Sequence, residues 1–322
     1  MTLAPHTPVL LDAVLDGLQV TANPDGLFID GTLGAGGHAA AILGAAPRAR
    51  LIGFDRDPRS LAIARERLAS FGERVTLIHA SYAQVRHLAP EHGAVPGTVS
   101  GILLDLGLSS MHVDEAARGF AFRLDGPLDM RFDPDSGGPS AADLVNTLDV
   151  DALADILFRY GELHDSRRIA RAIVAARPLQ TTGALAAVIA AGGERRAGKP
   201  IHPATQVFQA LRIAVNDELG HLERALPDMV DMLRPGGRLA VISFHSLEDR
   251  IVKDCFRTEA TDCLCPPRQL ICTCGHTASL TLVTRKPIVP DAAEIAENPR
   301  SRSARLRIAE RKNRGTNGLC RT

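Results

Sequence analysis

The stretch from Leu27 to His38 reads L-F-I-D-G-T-L-G-A-G-G-H, and it narrows the choice of fold more than any other. Leu27, Phe28 and Ile29 form a short apolar run suited to a fully buried parallel strand. Asp30 ends that run, and glycines follow at 31, 34, 36 and 37. The alanine-rich residues 39–46 then favour a helix. Strand, glycine turn and helix in this order open a nucleotide-binding βαβ unit. Glycine tolerates positive φ and lets a ligand approach the backbone, and the first turn of a helix offers unpaired N–H groups. Gly34-x-Gly36-x-x-Ala39 matches the dinucleotide fingerprint, and Asp55 supplies its acidic residue about 20 positions on. The same geometry serves NAD and S-adenosylmethionine (SAM), so the turn by itself leaves the cofactor open.

Strands and helices keep alternating beyond the turn. Residues 51–54 read as a second strand with Asp55 at its carboxyl end, and Asp57-Pro58 starts a helix with an N-cap and a proline at its first position. Further strands are expected at 75–78 and 99–104, the last running into Asp105. Such spacing predicts a parallel, doubly wound sheet, with ligands at the carboxyl ends of its strands. Gly34, Gly36, Asp55, Tyr82 and Asp105 all fall there.

After Ser110 the pattern changes. Residues 111–139 are irregular and rich in Asp, Gly, Arg and Pro, yet Phe120, Phe122, Leu128, Met130 and Phe132 argue against disorder. Helical periodicity then covers 141–146, 150–160, 166–176, 182–191 and 203–219 without a strand signal between. The sheet resumes after a tight turn at Arg234–Gly237, with strands at 238–244, 280–286 and 304–310 and a helix running to Phe256. The organisation expected is a Rossmann-like cofactor domain in two parts, 1–110 and 216–322, interrupted by a substrate-facing loop and helical insert at 111–215.

Lys plus Arg equals Asp plus Glu, 37 each, so any binding to nucleic acid must rest on local basic runs. Three stand out: Arg167, Arg168 and Arg171; Arg195, Arg196 and Lys199; and the run from Arg300 through Arg302, Arg305, Arg307, Arg311 and Lys312 to Arg314. Aromatic residues are only 4% and Trp is absent, which leaves few platforms for base stacking. No signal peptide and no apolar run of membrane-spanning length is visible, so a cytoplasmic protein is expected. Cys263, Cys265, Cys272 and Cys274 cluster as C-x-C-x6-C-x-C, while Cys255 and Cys320 stand apart. A cluster in such a chain reads as a four-thiolate zinc candidate or as reduced thiols, and no metal is assigned from spacing alone.

Longer matches decide between the cofactors. The chain resembles the MraW (RsmH) family at His6–Leu11, Asp30–His38, Asp55–Pro58, Leu103–Ser110, Arg118–Phe120, Asp125–Arg131, His202–Thr205, Ser243–Arg250 and Asn298–Ser303. The resemblance implies a class I SAM-dependent methyltransferase: an α/β Rossmann-like fold with a seven-stranded, mostly parallel sheet and an inserted all-helical domain. It implies methylation of cytidine N4 in 16S ribosomal RNA, with the small ribosomal subunit as partner, no membrane, and a monomer or homodimer. It places SAM contacts on Gly36, Gly37, His38, Asp55, Tyr82, Asp105 and His112; the family often has Gln where this chain has His112, and both donate a hydrogen bond.

Each of these residues also has a plainer reading. Asp55 can accept both ribose hydroxyls or simply flank a helix. Tyr82 packs by the adenine or fills core; Asp30 attracts the cofactor's ammonium or caps the turn; His38 serves the cofactor or the helix start. Methyl transfer to an exocyclic amine needs orientation and an acceptor for its N–H hydrogens rather than a strong base or metal. Asp105 is the first candidate for that acceptor. Ser243, His245 and Ser246, at the end of the fifth strand, are second candidates for contacts to the base, with capping of the next helix as the competing role of Ser246. A NAD-dependent oxidoreductase lacks a His/Lys/Tyr set for hydride transfer, and a non-catalytic RNA-binding protein leaves the cofactor residues unexplained. A SAM enzyme acting on another nucleic acid or a small molecule is the remaining alternative.

Overall fold

The computed structural model describes residues 8–192, 203–267, 269 and 271–313. In chain order the first elements are α1 (Leu11–Gly17), β1 (Leu27–Asp30), α2 (Gly37–Ala45), β2 (Arg50–Asp55), α3 (Pro58–Arg67), β3 (Val75–His79), α4 (Val85–Leu88) and β4 (Val99–Asp105). Then come α5 (Ser110–Asp114), α6 (Ala141–Thr147), α7 (Val150–Gly161), α8 (Ser166–Ala175), α9 (Thr182–Gly192) and α10 (Pro203–Asn216). The chain continues with α11 (Glu218–Met232), β5 (Leu233–Ser243), α12 (Ser246–Glu259), β6 (Leu280–Leu282), α13 (Ala292–Glu297) and β7 (Arg305–Arg311).

These elements form two compact units. The first takes the described residues up to Gly107 and those from Gly220 onward; the second is Leu108–Leu219. In the first unit one seven-stranded sheet has the order β3-β2-β1-β4-β5-β7-β6. The strands from β3 to β5 are parallel, whereas β7 runs antiparallel to both β5 and β6. β1 and β4 are buried along almost their whole length, as expected of central parallel strands covered on both faces. One apolar layer packs Ile29, Phe54, Ile102 and Leu104 with Leu226 and Met229 of α11. The opposite layer packs Phe28, Leu51 and Leu103 with Val14 of α1 and Ile42 and Leu43 of α2. Each face of the sheet thus buries alternate residues, and the polar ends of the strands stay at one edge of the core. Parallel order and first-strand reversal put the switch point between β1 and β4, where such sheets bind ligands.

The sequence expectations hold for the seven-stranded, mostly parallel sheet and for the α3 start, where Asp57 accepts the Arg59 N–H at 2.9 Å and Pro58 opens the helix. Three features differ. The strand expected over 280–286 is shorter, Leu280–Leu282. Arg234–Gly237 is not a turn before β5 but an irregularity within it: Val99 pairs with Leu233 and Gly101 with Arg238. An added Cβ at Gly237 would lie 2.6 Å from the Val99 carbonyl oxygen, so the two backbones meet too closely there for a side chain. The helical periodicity read through Leu219 also splits, into α10 and α11, at Asp217 with φ +48°.

The second unit is all-helical apart from the irregular stretch that leads into it. Phe120, Leu128 and Met130 of that stretch are buried with Val145, Leu153, Leu157, Ile173 and Leu211 of the helices. Buried Arg118 donates to the carbonyls of Arg131 and Phe132, at 3.2 and 3.0 Å, and Asn216 Nδ2 donates to the Met130 carbonyl at 2.7 Å. Backbone groups that a helix would have satisfied internally are satisfied here by side chains, which is how an aperiodic segment keeps one conformation. Among the described residues no helix is long and apolar enough to cross a membrane.

Candidate active site

The turn after β1 is shaped by two residues with positive φ, Gly34 (+52°) and Gly36 (+77°). The Gly36 N–H returns to the Leu33 carbonyl at 2.8 Å, and Gly36 caps α2. Crowding explains further glycines. A Cβ at Gly31 would stand 2.5 Å from Leu104 Cδ2 and 3.0 Å from Tyr82 Cβ, and one at Gly37 would stand 2.8 Å from Pro8 Cγ. At Gly34 the nearest atom to an added Cβ is the Thr32 carbonyl oxygen at 4.0 Å, so that side of the turn is open for approach.

Asp55, at the end of β2, locks the turn from beside it. Its Oδ2 accepts the Gly34 N–H at 2.7 Å and its Oδ1 accepts the Asp57 N–H at 2.8 Å. The carboxylate plane is therefore fixed at the end of β2, beside the open side of the turn. Tyr82 follows β3 and packs, partly buried, against the core beside Gly31. Asp30 accepts the Thr32 N–H at 3.1 Å, and the Thr32 hydroxyl accepts the Asp105 N–H at 2.6 Å. Thr32, which carries no obvious motif signal, is the hinge pin between β1 and β4.

His38 begins α2 and is almost fully buried. Its Nε2 donates to the Val9 carbonyl at 3.0 Å, which leaves Nδ1 facing Asp105 Oδ2 at 3.6 Å. Asp105 Oδ1 is buried and has no hydrogen-bond partner. Burial pushes the Asp30 carboxyl up to about 7, with the charges of Asp105 and Asp55 adding to the rise and His38 and the Thr32 N–H opposing it. Asp105 keeps a quarter of its side-chain surface open, yet it sits deep enough that desolvation dominates. Desolvation and then the nearby Glu248 charge push it, too, up to about 7. Burial lowers the His38 pKa, against the pull of Asp30 and of the Val9 carbonyl. The turn therefore gathers three carboxylates, two of them poised between charge states near neutral pH, around open backbone. Such a set suits a ligand with positive charge and hydroxyls.

Ser243 ends β5, and its Oγ makes a long contact to the Arg305 carbonyl at 3.4 Å. His245, not Ser246, is the N-cap of α12: its Nδ1 accepts the Glu248 N–H at 3.4 Å, while Glu248 Oε2 accepts the Phe244 and His245 N–H groups at 2.8 and 3.3 Å. His245 Nε2 lies 3.0 Å from Glu248 Oε1 but out of line for a hydrogen bond, and it is the second buried, unpartnered polar atom among the candidates. Glu248 was not singled out in the sequence; a Glu three residues after a capping position is the signal that marks it. His112 belongs to the second unit. There it is buried, its ring 5.0 Å from that of Phe120 and 5.2 Å from that of Phe132, with Nδ1 3.1 Å from Ser109 Oγ.

The basic runs fare differently from their sequence reading. Arg305 and Arg307 both bind Asp249, Arg311 reaches Asp231 at 3.4 Å, and Lys312 lies 3.8 Å from Asp262. Arg168 pairs with Asp165 at 2.6 Å and Arg167 with Asp151 at 3.5 Å. Arg195, Arg196, Lys199 and Arg314 lie outside the described residues.

The sequence profile described as the MraW methylase family matches residues 3–312. A protein of Dehalococcoides mccartyi, called ribosomal RNA small subunit methyltransferase H, is 51% identical over 97% of this chain and 88% of its own length. Proteins of the same name from Heliobacterium mobile and Thermomicrobium roseum are each 51% identical over 95% of this chain, covering 98% and 93% of their own lengths.

Proposed function

The chain belongs to the MraW methylase family, and on that premise we propose that it methylates the exocyclic N4 of a cytidine in the 16S ribosomal RNA of the small ribosomal subunit. It is a SAM-dependent methyltransferase, and SAM supplies an electrophilic methyl group on a sulfonium.

The residues of the first unit suit that cofactor. The backbone of the Gly34–Gly37 turn, open at Gly34, would receive its amino-acid end, Asp55 its ribose hydroxyls, and Tyr82 its adenine. Asp30 and Asp105 supply negative charge that would attract the cofactor's sulfonium and ammonium groups, and those cationic groups in return favour their ionised forms. The observation that carries the reading is Asp105 Oδ1, buried at the end of β4 without a partner. A buried carboxylate oxygen without a hydrogen bond costs free energy in the empty site and recovers it when a donor arrives. The N4 amino group of cytosine is such a donor. With its proton held at Asp105 Oδ1, the nitrogen pyramidalises and presents its lone pair. His38 Nδ1 lies 3.6 Å from Oδ2, beyond hydrogen-bond reach, and stands as a neighbour of the carboxylate rather than a donor to it. Ser243 and His245, whose Nε2 has Glu248 Oε1 at 3.0 Å but makes no hydrogen bond, are offered to the ring edge of the same base. A base reaching this pocket must leave its stack, so a loop or single strand is the form of RNA expected.

Transfer of labelled methyl from SAM to small subunits that lack the modification, followed by nucleoside analysis, tests the proposal. The expected product is N4-methylcytidine at one position. SAM binding without transfer to subunits or to their RNA would overturn the substrate and direct the search to another nucleic acid or a small molecule.

A further inference from the structure

Between α12 and β6 the chain makes a strap whose described residues from Asp262 to Gly275 include none that is buried; Leu264 and Ile271 are 48% and 77% exposed. The strap is tied at its ends. His276 Nε2 donates to the Thr258 carbonyl at 3.0 Å, and the Ser279 N–H to the Glu259 carbonyl at 2.8 Å. Between those ties its described residues form no apolar core to hold it together. Its ordering entropy must be met by something other than hydrophobic burial.

What converges there is sulfur. The Sγ atoms of Cys263, Cys265, Cys272 and Cys274 lie within 4.8 Å of one another. Individual separations are 3.6 Å for Cys263–Cys272, 3.6 Å for Cys272–Cys274, 3.8 Å for Cys263–Cys274 and 3.9 Å for Cys265–Cys272. Four sulfurs each about 2.3 Å from a central ion form a tetrahedron with edges of about 3.8 Å. The backbone supports the same arrangement. Leu264, the middle residue of the first C-x-C, donates its N–H to Cys274 Sγ at 3.4 Å. Thr273, the middle residue of the second, donates its N–H to Cys265 Sγ at 3.4 Å. The two pairs thus cross-link through reciprocal N–H···S contacts, which stabilise thiolate charge.

We propose that Cys263, Cys265, Cys272 and Cys274 bind a single zinc ion in a closed tetrahedral site that holds the strap between α12 and β6. Zinc is chosen over other divalent ions because four soft thiolates in a tetrahedron suit it and disfavour magnesium or calcium. A cluster of two or more metal ions would hold its thiolates further apart than one ion does. Four protein ligands leave no open position, so the ion is structural and takes no part in methyl transfer. Cys255, packed against the main core, is outside the site.

Metal analysis of the full-length protein, purified without chelator and desalted, is the test. The expected result is about one zinc per chain, kept in Cys255→Ser and lost in the Cys263→Ser/Cys272→Ser double variant. Should that variant fail to fold, cobalt exchange into the wild-type chain gives a second readout. Intense d–d bands of a tetrahedral site with thiolate charge transfer are expected, displaced by one equivalent of zinc. A folded wild-type chain that stays metal-free after zinc is supplied, with all four thiols alkylated at the rate of free cysteine, overturns the proposal. So does iron in place of zinc, or two disulfides among the four.

Discussion

Asp105 ends β4 and Asp249 lies in α12 just after the neighbouring parallel strand β5; both carboxylates are largely withdrawn from water, yet they are treated in opposite ways. Asp249 accepts from Arg307 Nε at 2.7 Å and Nη2 at 3.1 Å, and from Arg305 Nη1 at 3.2 Å. Burial alone would raise its pKa, but the two guanidiniums hold it below the ordinary carboxylate value. Asp105 has a histidine at 3.6 Å, no donor on Oδ1 and a pKa pushed up to about 7. A fully paired buried charge is architecture: it joins α12 to β7. A buried carboxylate left half-satisfied is held for a ligand that is not part of the chain.

The contrast can be broken most sharply by removing each carboxylate. Asp105→Ala should lower methyl transfer by about a thousandfold or more while urea unfolding shifts little, since the residue contributes no paired hydrogen bond through Oδ1. Near wild-type turnover by the folded variant would refute the assignment. Asp249→Ala should do the reverse. It leaves Arg307 buried without its partner and costs about 3 kcal/mol of stability by denaturant titration, with SAM affinity retained by the folded fraction. If both variants lose stability equally, the distinction fails.

Smaller effects sharpen the picture of the turn. Asp30→Asn removes a charge that burial opposes, so stability should hold or rise while SAM affinity, read by calorimetry, falls about tenfold. The pH dependence follows from the two raised carboxyls. A cationic ligand prefers them ionised, so SAM affinity should be full above about pH 7 and fall as pH drops through 7, by up to about tenfold per unit for each group. Folding of the free chain has the opposite sign. Their raised pKa values favour the folded state below about pH 4, and that contribution is lost as pH rises through 7. Gly36→Ala forces a Cβ into φ +77° with Leu68 Cδ1 at 3.2 Å, and should cost about 1 kcal/mol in thermal unfolding.

Local features of this chain were legible in its sequence because their causes are local. The β1 run, the glycine turn, the Asp57-Pro58 helix start and the helices of the second unit all follow from periodicity and capping. Asp30, Asp55 and Asp105 were legible as strand-end acids. What escaped reading depends on distant pairings. No element is expected from the sequence between Leu219 and Arg234, yet α11 forms there, with Pro227 inside it, and Leu226 and Met229 pack on the sheet. Arg305 and Arg307 read as part of a cationic run for RNA until β7 lays them beside Asp249, 56 and 58 residues away in sequence. His245 looked like a base contact and Ser246 like a cap; the fold gives the cap to His245, and its Nε2 remains without a partner. Glu248 gained meaning when β4 and β5 came side by side and its charge reached Asp105.

Carboxyl carbon NMR of aspartate-labelled protein, with the Asp105 signal assigned from Asp105→Asn, tests the central claim most directly. In the free protein Asp105 should titrate near pH 7 while Asp249 titrates below the ordinary carboxylate range, and saturating SAM should move the Asp105 midpoint down. An Asp105 that titrates like an exposed aspartate, and does not respond to SAM, would contradict the account.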